Sequence, residues 1–576
     1  PGTTSHFVEG QGFSASCWLF VMGGKKAGRP ASSVVNRKVV VASGYFNPLH
    51  YGHVSYLERA KEAGGTLVVI VNNDKQAANR MRDPGSLAMP ARDRVKTVRS
   101  LACVDAAVEA VDEDESVCET LRLLHPDIFA NGGSRTASER EIVLCRELGI
   151  QILNGLGIEV LLLTPFTQHY DWGKPRNESL VAALTGEHKS EPSPSSGAKP
   201  FAELWMGDHP SGPSSVKMTT PDPDGNCLRR TLSKTPSLLG AQLAADAKLP
   251  FLLKVLSIEK ALSIQAHPDR ALAERLHRER PDVYKDANHK PEVAIALTDF
   301  EALCGFRHVP EIVHFVEEVP ELAAVVGTGA AEALRASAGD AAAEPVALKA
   351  AYCHMMRTPE EDVKRKAREL VSRTAAFASE LHPPRLATCL ELVHRLHRQF
   401  GDDIGIFSVF FLNYSKMRVG ECLYMAQNTP HAYLSGDIVE CMATSDNVVR
   451  GGLTAKYKDI DVLCEMLRYE GGDPPLIQPE EHAPGVLLYA DPAITEFQVT
   501  HVKLMANTRR RSCFSNMGPT VAFASSGTGS VKISGDTVRL EPGVVFFLAA
   551  GVDAELYAAD DLEVFAACCP PHYFNQ

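Results

Sequence analysis

A chain of 576 residues exceeds the roughly 250–300 at which one hydrophobic core stops growing, so a single-domain protein is excluded. Hydrophobic content of 45% and charged content of 23% belong to an ordinary globular protein and exclude a fibrous or wholly disordered chain. A net charge of −12 without a long basic run argues against a nucleic-acid partner, because phosphate backbones need clustered Lys and Arg; a small anion in a local basic pocket stays open.

The 14 cysteines form no Cys-x-x-Cys pair, and Cys568 and Cys569 are adjacent. Neither a disulfide framework nor a cysteine metal site is expected, and a reducing, cytoplasmic setting fits best. The longest apolar run, Val544 to Ala550, falls far short of the roughly 20 residues of a membrane helix. It reads as a strand, and no membrane partner is expected. Ser16 to Met22 is apolar but short and lacks a basic flank, which argues against a signal peptide. The chain opens on Pro1 rather than Met, so a preceding segment is expected. Quaternary structure leaves no mark; a monomer or an undetermined oligomer is equally compatible.

Residues 1–36 are rich in Gly and Ser without periodicity and read as a disordered leader. The first folded unit then begins: a buried-type strand Lys38 to Ser43, a turn at Gly44, a helical pattern from His53 to Ala63 and a strand Thr66 to Val71. Strand, helix, strand at this spacing is a parallel βαβ unit with its ligand at the carboxyl end of the strand. Helices near Pro90–Leu101, Ser116–Leu124 and Glu139–Leu148 and strands Ala106–Val111 and Asp127–Ala130 continue the pattern. The expectation is a Rossmann-like α/β domain over residues 37–157.

Ser43-Gly-Tyr-Phe-Asn-Pro-Leu-His50-Tyr-Gly-His53 follows the first strand and opens a helix. Two histidines across a glycine at a helix N-terminus can reach nucleotide phosphates, where backbone N–H groups and the helix dipole favour anions. The stretch resembles the His-x-Gly-His motif of the cytidylyltransferase-like nucleotidyltransferases. Asn131-Gly-Gly-Ser-Arg135 stands where that family has a Gly-Gly-Asp-Arg or related loop. The resemblance implies nucleotide binding by Gly44, Tyr45, Phe46, His50, His53 and Arg135, with CTP or ATP and Mg2+ as cofactors. Asn47 and Ser134 replace aspartates common in the family, which bears on metal or acceptor handling. A docking module or nucleotide sensor without turnover is the alternative.

From Glu159 the texture changes to short strands punctuated by Pro and Gly, with a polar stretch Glu187–Pro200 that reads as an exposed connection. Residues 307–400 are helical in pattern and Ala-rich from Ala330 to Ala351. The tail alternates apolar and polar positions, as in Thr520–Ala524 and Ser530–Arg539. The expected organisation is a β-rich catalytic domain over 158–306 and 401–480, a helical insertion over 307–400, and a C-terminal β domain over 481–576.

Gln265-Ala-His267 places two polar side chains on one face of a strand. His289-Lys-Pro-Glu292 opens a second apolar strand, and Pro430-His431-Ala-Tyr433 stands at the start of a third. Two histidines and a carboxylate from separate strands, with room for water or substrate, follow the catalytic zinc pattern. The same set suits non-haem Fe(II) in an oxygenase, and unconnected core or surface residues would share the spacing.

Six blocks then occur in order: Tyr170-Asp-Trp-Gly-Lys174, Glu203 to Gly212, Leu262 to Asp269, Asn288 to Glu292, Pro430 to Asp437, and Glu440 to Lys456. Together they resemble type I mannose-6-phosphate isomerases from about residue 160 to the end. The resemblance implies cupin-type barrels and zinc held by Gln265, His267, Glu292 and His431; spacing alone would not select the amide. It implies interconversion of the sugar phosphates mannose 6-phosphate and fructose 6-phosphate, feeding GDP-mannose synthesis, and a catalytic role for Arg450. Glu440, assigned by pattern to the strand after His431, is the candidate base for proton transfer; a structural carboxylate paired with Lys or Arg is the alternative. Ser263, Lys290 and Lys456 lie inside the blocks and are assigned to substrate binding, as are the aromatics Trp172 and Tyr433, which could equally be core.

Overall fold

A computed structural model describes residues 38–49, 51–80, 89–132, 137–157, 159–189, 199–217, 226–375, 383–515, 517–533 and 536–575. The expected leader, His50, Arg135 and most of the Glu187–Pro200 connection lie outside them. The chain divides into two compact units, residues 1–158 and 159–576.

The first unit is a parallel sheet of five strands: β1 (Lys38–Gly44), β2 (Gly65–Val71), β3 (Ala106–Glu109), β4 (Ile128–Gly132) and β5 (Gln151–Leu156). Their order is β3-β2-β1-β4-β5. Alternate residues feed two separate cores, as a period of two demands when both faces are covered. Val40, Ala42, Leu67 and Val69 pack with Tyr56 and Leu57 of the helix Tyr51–Glu62. Val41, Val68, Ile70 and Phe129 pack with Leu121 and Leu144 of the helices Cys118–Leu124 and Glu139–Leu148. The strand order reverses at β1, so the Gly44 loop leaves the sheet at its topological switch point. A helix Asp74–Arg80 and the strand β5 were not expected: the helix has no apolar stripe, and Asn154-Gly155 inside β5 reads as a turn.

The second unit is antiparallel and β-rich. Its strands up to residue 452 are β6 (Val160–Thr164), β7 (Phe166–Gln168), β8 (Glu203–Met206), β9 (Ser215–Val216), β10 (Phe251–Ile258), β11 (Ile264–Ala266), β12 (Glu292–Ala296), β13 (Phe300–Phe306), β14 (Leu412–Met417), β15 (Cys422–Met425), β16 (His431–Ala443) and β17 (Val449–Gly452). Helices from Val309–Glu318 to Pro384–Phe400 interrupt them between β13 and β14, and their apolar faces share one core with β11, β13 and β16. β6 pairs with Val545–Leu548, Leu161 to Leu163 lying opposite Phe547 to Val545, so it and β9 extend the sheet formed by the C-terminal strands. This pairing is non-local, and nothing in the local pattern of Val160–Thr164 encodes its partner. Among the described residues no helix is long and apolar enough to cross a membrane.

The 13-residue β16 joins two sheet regions. Its first half pairs with β11 and β13, and its second half with β10 and β12. Gly436 sits at the change with φ 114°, where a Cβ would fall 2.6 Å from the Asp299 carbonyl, so only glycine fits the bend. Glu440 therefore lies on the same strand as His431, not on the next one; the Ser435-Gly436-Asp437 stretch has the composition of a turn but carries the strand through.

Candidate active site

His267, Glu292 and His431 are buried, and each offers one ligand atom within 4.8 Å of the others. They come from the residue after β11 and the first residues of β12 and β16. The His267 Nδ1–H donates to the Asn447 carbonyl at 2.7 Å, and the His431 Nδ1–H donates to the Thr429 carbonyl at 3.0 Å. These contacts fix both tautomers and leave each Nε2 as a lone pair. Both Nε2 atoms face Glu292 Oε2, at 3.2 and 3.3 Å. His431 Nε2 is within ion-pair range of that oxygen, yet its geometry makes no hydrogen bond, and the atom is buried and unsatisfied.

Electrostatics sharpen the point. Burial lowers the proton affinity of His267, so protonated imidazolium is disfavoured there. Burial pushes the Glu292 carboxyl up, but its charged surroundings, the Lys290 ammonium foremost, outweigh burial and hold the group well below the usual range. The Lys290 ammonium lies 3.1 Å from Glu292 Oε1. Two lone pairs and a carboxylate oxygen thus converge without a shared proton, a stable arrangement when a cation sits among them. The nitrogen and oxygen donor set suits a divalent transition metal, zinc included.

Register adds two more residues. Gln265 is directly opposite His431 on one side and Arg450 of β17 on the other. Residues opposite one another in antiparallel strands point to the same face, so the amide, imidazole and guanidinium share it. The half-buried Arg450 guanidinium makes no hydrogen bond or ion pair among the described residues, and burial lowers its pKa.

A second buried layer centres on Lys254 of β10, in register with Glu440. Its ammonium lies 2.9 Å from Glu440 Oε2 and 3.5 Å from Glu203 Oε2, above the Trp205 ring. Burial opposes its charge, but Glu440 and Glu203 more than offset this and raise its pKa. The Tyr433 hydroxyl donates to Glu440 Oε1 at 2.8 Å. The sequence reading missed Lys254, although the one charged residue of the mostly apolar Phe251–Ile258 is a visible signal. Glu440 therefore has the Lys partner that its structural alternative required.

Among the remaining residues, Ser263 is half-buried just before β11, and Lys456 is exposed on the loop after β17. Trp172 packs at the edge of the apolar cluster that buries Tyr433 and stacks on Tyr170 at 5.7 Å. Lys174 and Asp437, from two different sequence blocks, form an ion pair at 2.5 Å.

In the first unit the Gly44 loop is held from beneath. Fully buried Arg94 donates to the carbonyls of Tyr45, Asn72 and Met89 and to Asp74 Oδ1, at 2.7–3.0 Å. The Tyr56 hydroxyl accepts from the Ser43 N–H at 3.0 Å and donates to the Ala130 carbonyl at 2.8 Å. Phe46 is buried at φ 49°, its ring meets His53 edge-on at 5.0 Å, and a Cβ on Gly44 would press against it at 2.9 Å. Gly44, Tyr45, Phe46 and His53 thus share one loop and the first turn of the following helix.

A parallel switch-point loop and a buried His2Glu pocket on antiparallel strands define a chain of two enzyme-like parts. The profile of the phosphomannose isomerase type I catalytic domain matches residues 160–309, that of its helical insertion domain matches 322–412, and a cytidylyltransferase-like profile matches 41–153. The mannose-6-phosphate isomerase of Bos taurus is 39% identical over 431 residues, covering 71% of this chain and 98% of that protein. The Saccharomyces cerevisiae mannose-6-phosphate isomerase is 39% identical over 416 residues, with 68% and 94% covered. A phosphomannose isomerase mutant from Salmonella typhimurium superposes with a TM-score of 0.60 at 26% identity, over 71% of this chain and 99% of that one. A zinc-bound mannose 6-phosphate isomerase does so at 0.59, with the same identity and coverage. The chain belongs to the type I mannose-6-phosphate isomerases, with a cytidylyltransferase-like domain ahead of the isomerase part.

Proposed function

We propose that residues 159–576 interconvert mannose 6-phosphate and fructose 6-phosphate with zinc held by Gln265, His267, Glu292 and His431. The observation that carries this is the convergence of three buried acceptor groups, one of them an unsatisfied His431 Nε2, beside an unpaired Arg450. Bound zinc supplies a Lewis acid that polarises sugar oxygens or fixes their position. The reaction moves a proton between C1 and C2 of the open-chain sugar through an enediol.

Arg450 presents a permanent charge to the anionic oxygen that develops, or to phosphate, and a planar fork suits either. Glu440 takes and returns the proton, its carboxylate oriented by Lys254 and Tyr433. Lys290 steadies the Glu292 carboxylate and, with Ser263 and Lys456, offers donors to the substrate phosphate. Trp172 and Tyr433 wall the pocket. In a cytoplasmic setting the product would feed GDP-mannose synthesis.

The first unit binds a nucleotide, CTP or ATP with Mg2+, on the Gly44–His53 loop; the support is the switch-point position and the preorganisation by Arg94. Calorimetric titration with each nucleotide, paired with a pyrophosphate-release assay, separates turnover from sensing. For the isomerase site, elemental analysis of the purified chain should find about one zinc per chain, lost in Gln265→Ala and His431→Ala. Stoichiometric iron instead of zinc would favour the oxygenase reading.

A further inference from the structure

Every described cysteine is a free thiol. Burial pushes most of their thiols up, to about 12 for Cys304 and about 11 for Cys389. Cys353 departs from this. Cys353 lies on the helix Glu344–Met356 of the insertion, and Cys464 on the helix Ile460–Met466 that follows β17. Cys353 Sγ lies 3.1 Å from the Tyr469 hydroxyl and 4.0 Å from the Cys464 carbonyl, so the two cysteines meet where their helices pack.

The surroundings favour a thiolate at one of the two. The neighbouring Cys464 lowers the Cys353 pKa most, burial opposes it, and Tyr469, Arg357 and Lys349 add to the lowering. The single Tyr469 proton reaches the Cys464 carbonyl at 3.0 Å while Cys353 is a thiol, and can turn to the sulfur when Cys353 ionises. The pair sits just beneath the surface: exposed Lys349 lies over the Tyr469 ring, and Arg357 pairs with exposed Asp461. The neighbours of both cysteines reach the strand that carries Arg450. A Cβ on Gly451 of β17 would meet Leu463 at 3.2 Å and the Tyr352 hydroxyl at 3.8 Å.

We propose that Cys353 and Cys464 form a reversible thiol-oxidation site, closing under a hydroperoxide to a disulfide that ties the helical insertion to the helix packed on the Arg450 strand. The Cys353 thiolate attacks the peroxide oxygen, an S–O bond forms as O–O breaks, and the departing hydroxide is protonated to water. The Cys464 sulfur then attacks the sulfenic sulfur, S–S forms, its proton and the displaced hydroxide leave as water, and a dithiol reverses the change. Two thiols lose two electrons and hydrogen peroxide gains them.

The test is peptide mapping of the full chain after limiting hydrogen peroxide, with and without dithiothreitol. The Cys353–Cys464 cross-link is expected as the first disulfide to appear and should vanish on reduction. In Cys464→Ser, where no resolving thiol remains, dimedone should label Cys353 as a sulfenic acid; Cys464→Ala serves if serine perturbs folding. Alkylation of native protein at neutral pH should modify Cys353 on the order of tenfold faster than Cys389, as its greater thiolate share requires. Oxidation that consumes other thiols while Cys353 and Cys464 stay unlinked, or equal alkylation rates for Cys353 and Cys389, would overturn the proposal.

Discussion

Arg94 in the parallel-sheet unit and Arg450 in the β-rich unit are both withdrawn from solvent, yet they are used in opposite ways. The Arg94 fork is satisfied by three carbonyls and a carboxylate, so its charge holds a loop in shape. Arg450 has no partner among the described residues and lies opposite Gln265, whose other neighbour, His431, keeps an unsatisfied Nε2. Satisfied buried groups build; unsatisfied ones wait for a ligand. The contrast separates scaffold from chemistry without reference to motif.

Breaking the contrast at Arg450 should have the larger effect. Arg450→Ala is expected to lower kcat/KM by about 10²–10³, some 3–4 kcal/mol of transition-state stabilisation, with zinc content and melting temperature unchanged. Arg450→Lys should recover only part of it in steady-state kinetics, since an ammonium cannot reproduce the fork. Full activity in Arg450→Ala would make the unpaired guanidinium incidental.

Arg94→Ala should do the reverse. It orphans three carbonyls and should destabilise the first unit by about 3–5 kcal/mol, read by hydrogen exchange over residues 38–157 in denaturant, while isomerase kinetics stay as in the wild type. A parallel loss of isomerase activity would contradict the independence of the two parts.

Asp208 is an intermediate case and tests pH. Burial pushes its carboxyl up to about 6, against a single Leu249 N–H at 3.2 Å and the nearby Arg229. The folded state therefore holds the proton more tightly than the unfolded one. Its contribution to stability is complete below the ordinary carboxylate range and is lost as pH rises through about 6, a change of about 2–3 kcal/mol. Asp208→Asn should flatten the pH dependence of denaturant unfolding over that window; an unchanged slope would place the titration elsewhere.

Much of this was legible in the sequence because local chemistry and tertiary role coincided. The central strands β1 and β2 of the first unit are built on continuous apolar runs, as two-sided burial requires, and His267, Glu292 and His431 fall at the strand edges their spacing implied. What was not legible shares a cause. β6 finds its partner almost four hundred residues away by sequence number, and no local pattern encodes that choice. Ser435-Gly436-Asp437 looks like a turn, yet at Gly436 the close approach of the Asp299 carbonyl explains the glycine, and Glu440 stays on the strand of His431. The role of Lys254 depends on its neighbours across β8 and β16, contacts invisible along the chain.

The most direct test is fructose 6-phosphate formation from mannose 6-phosphate by the full chain, measured as purified, after chelation, and after zinc is restored, beside His431→Ala. The account predicts turnover that chelation abolishes and zinc returns, with His431→Ala inactive at every zinc level tested. Turnover undiminished by complete zinc removal, or a folded, zinc-loaded protein without activity, would contradict it.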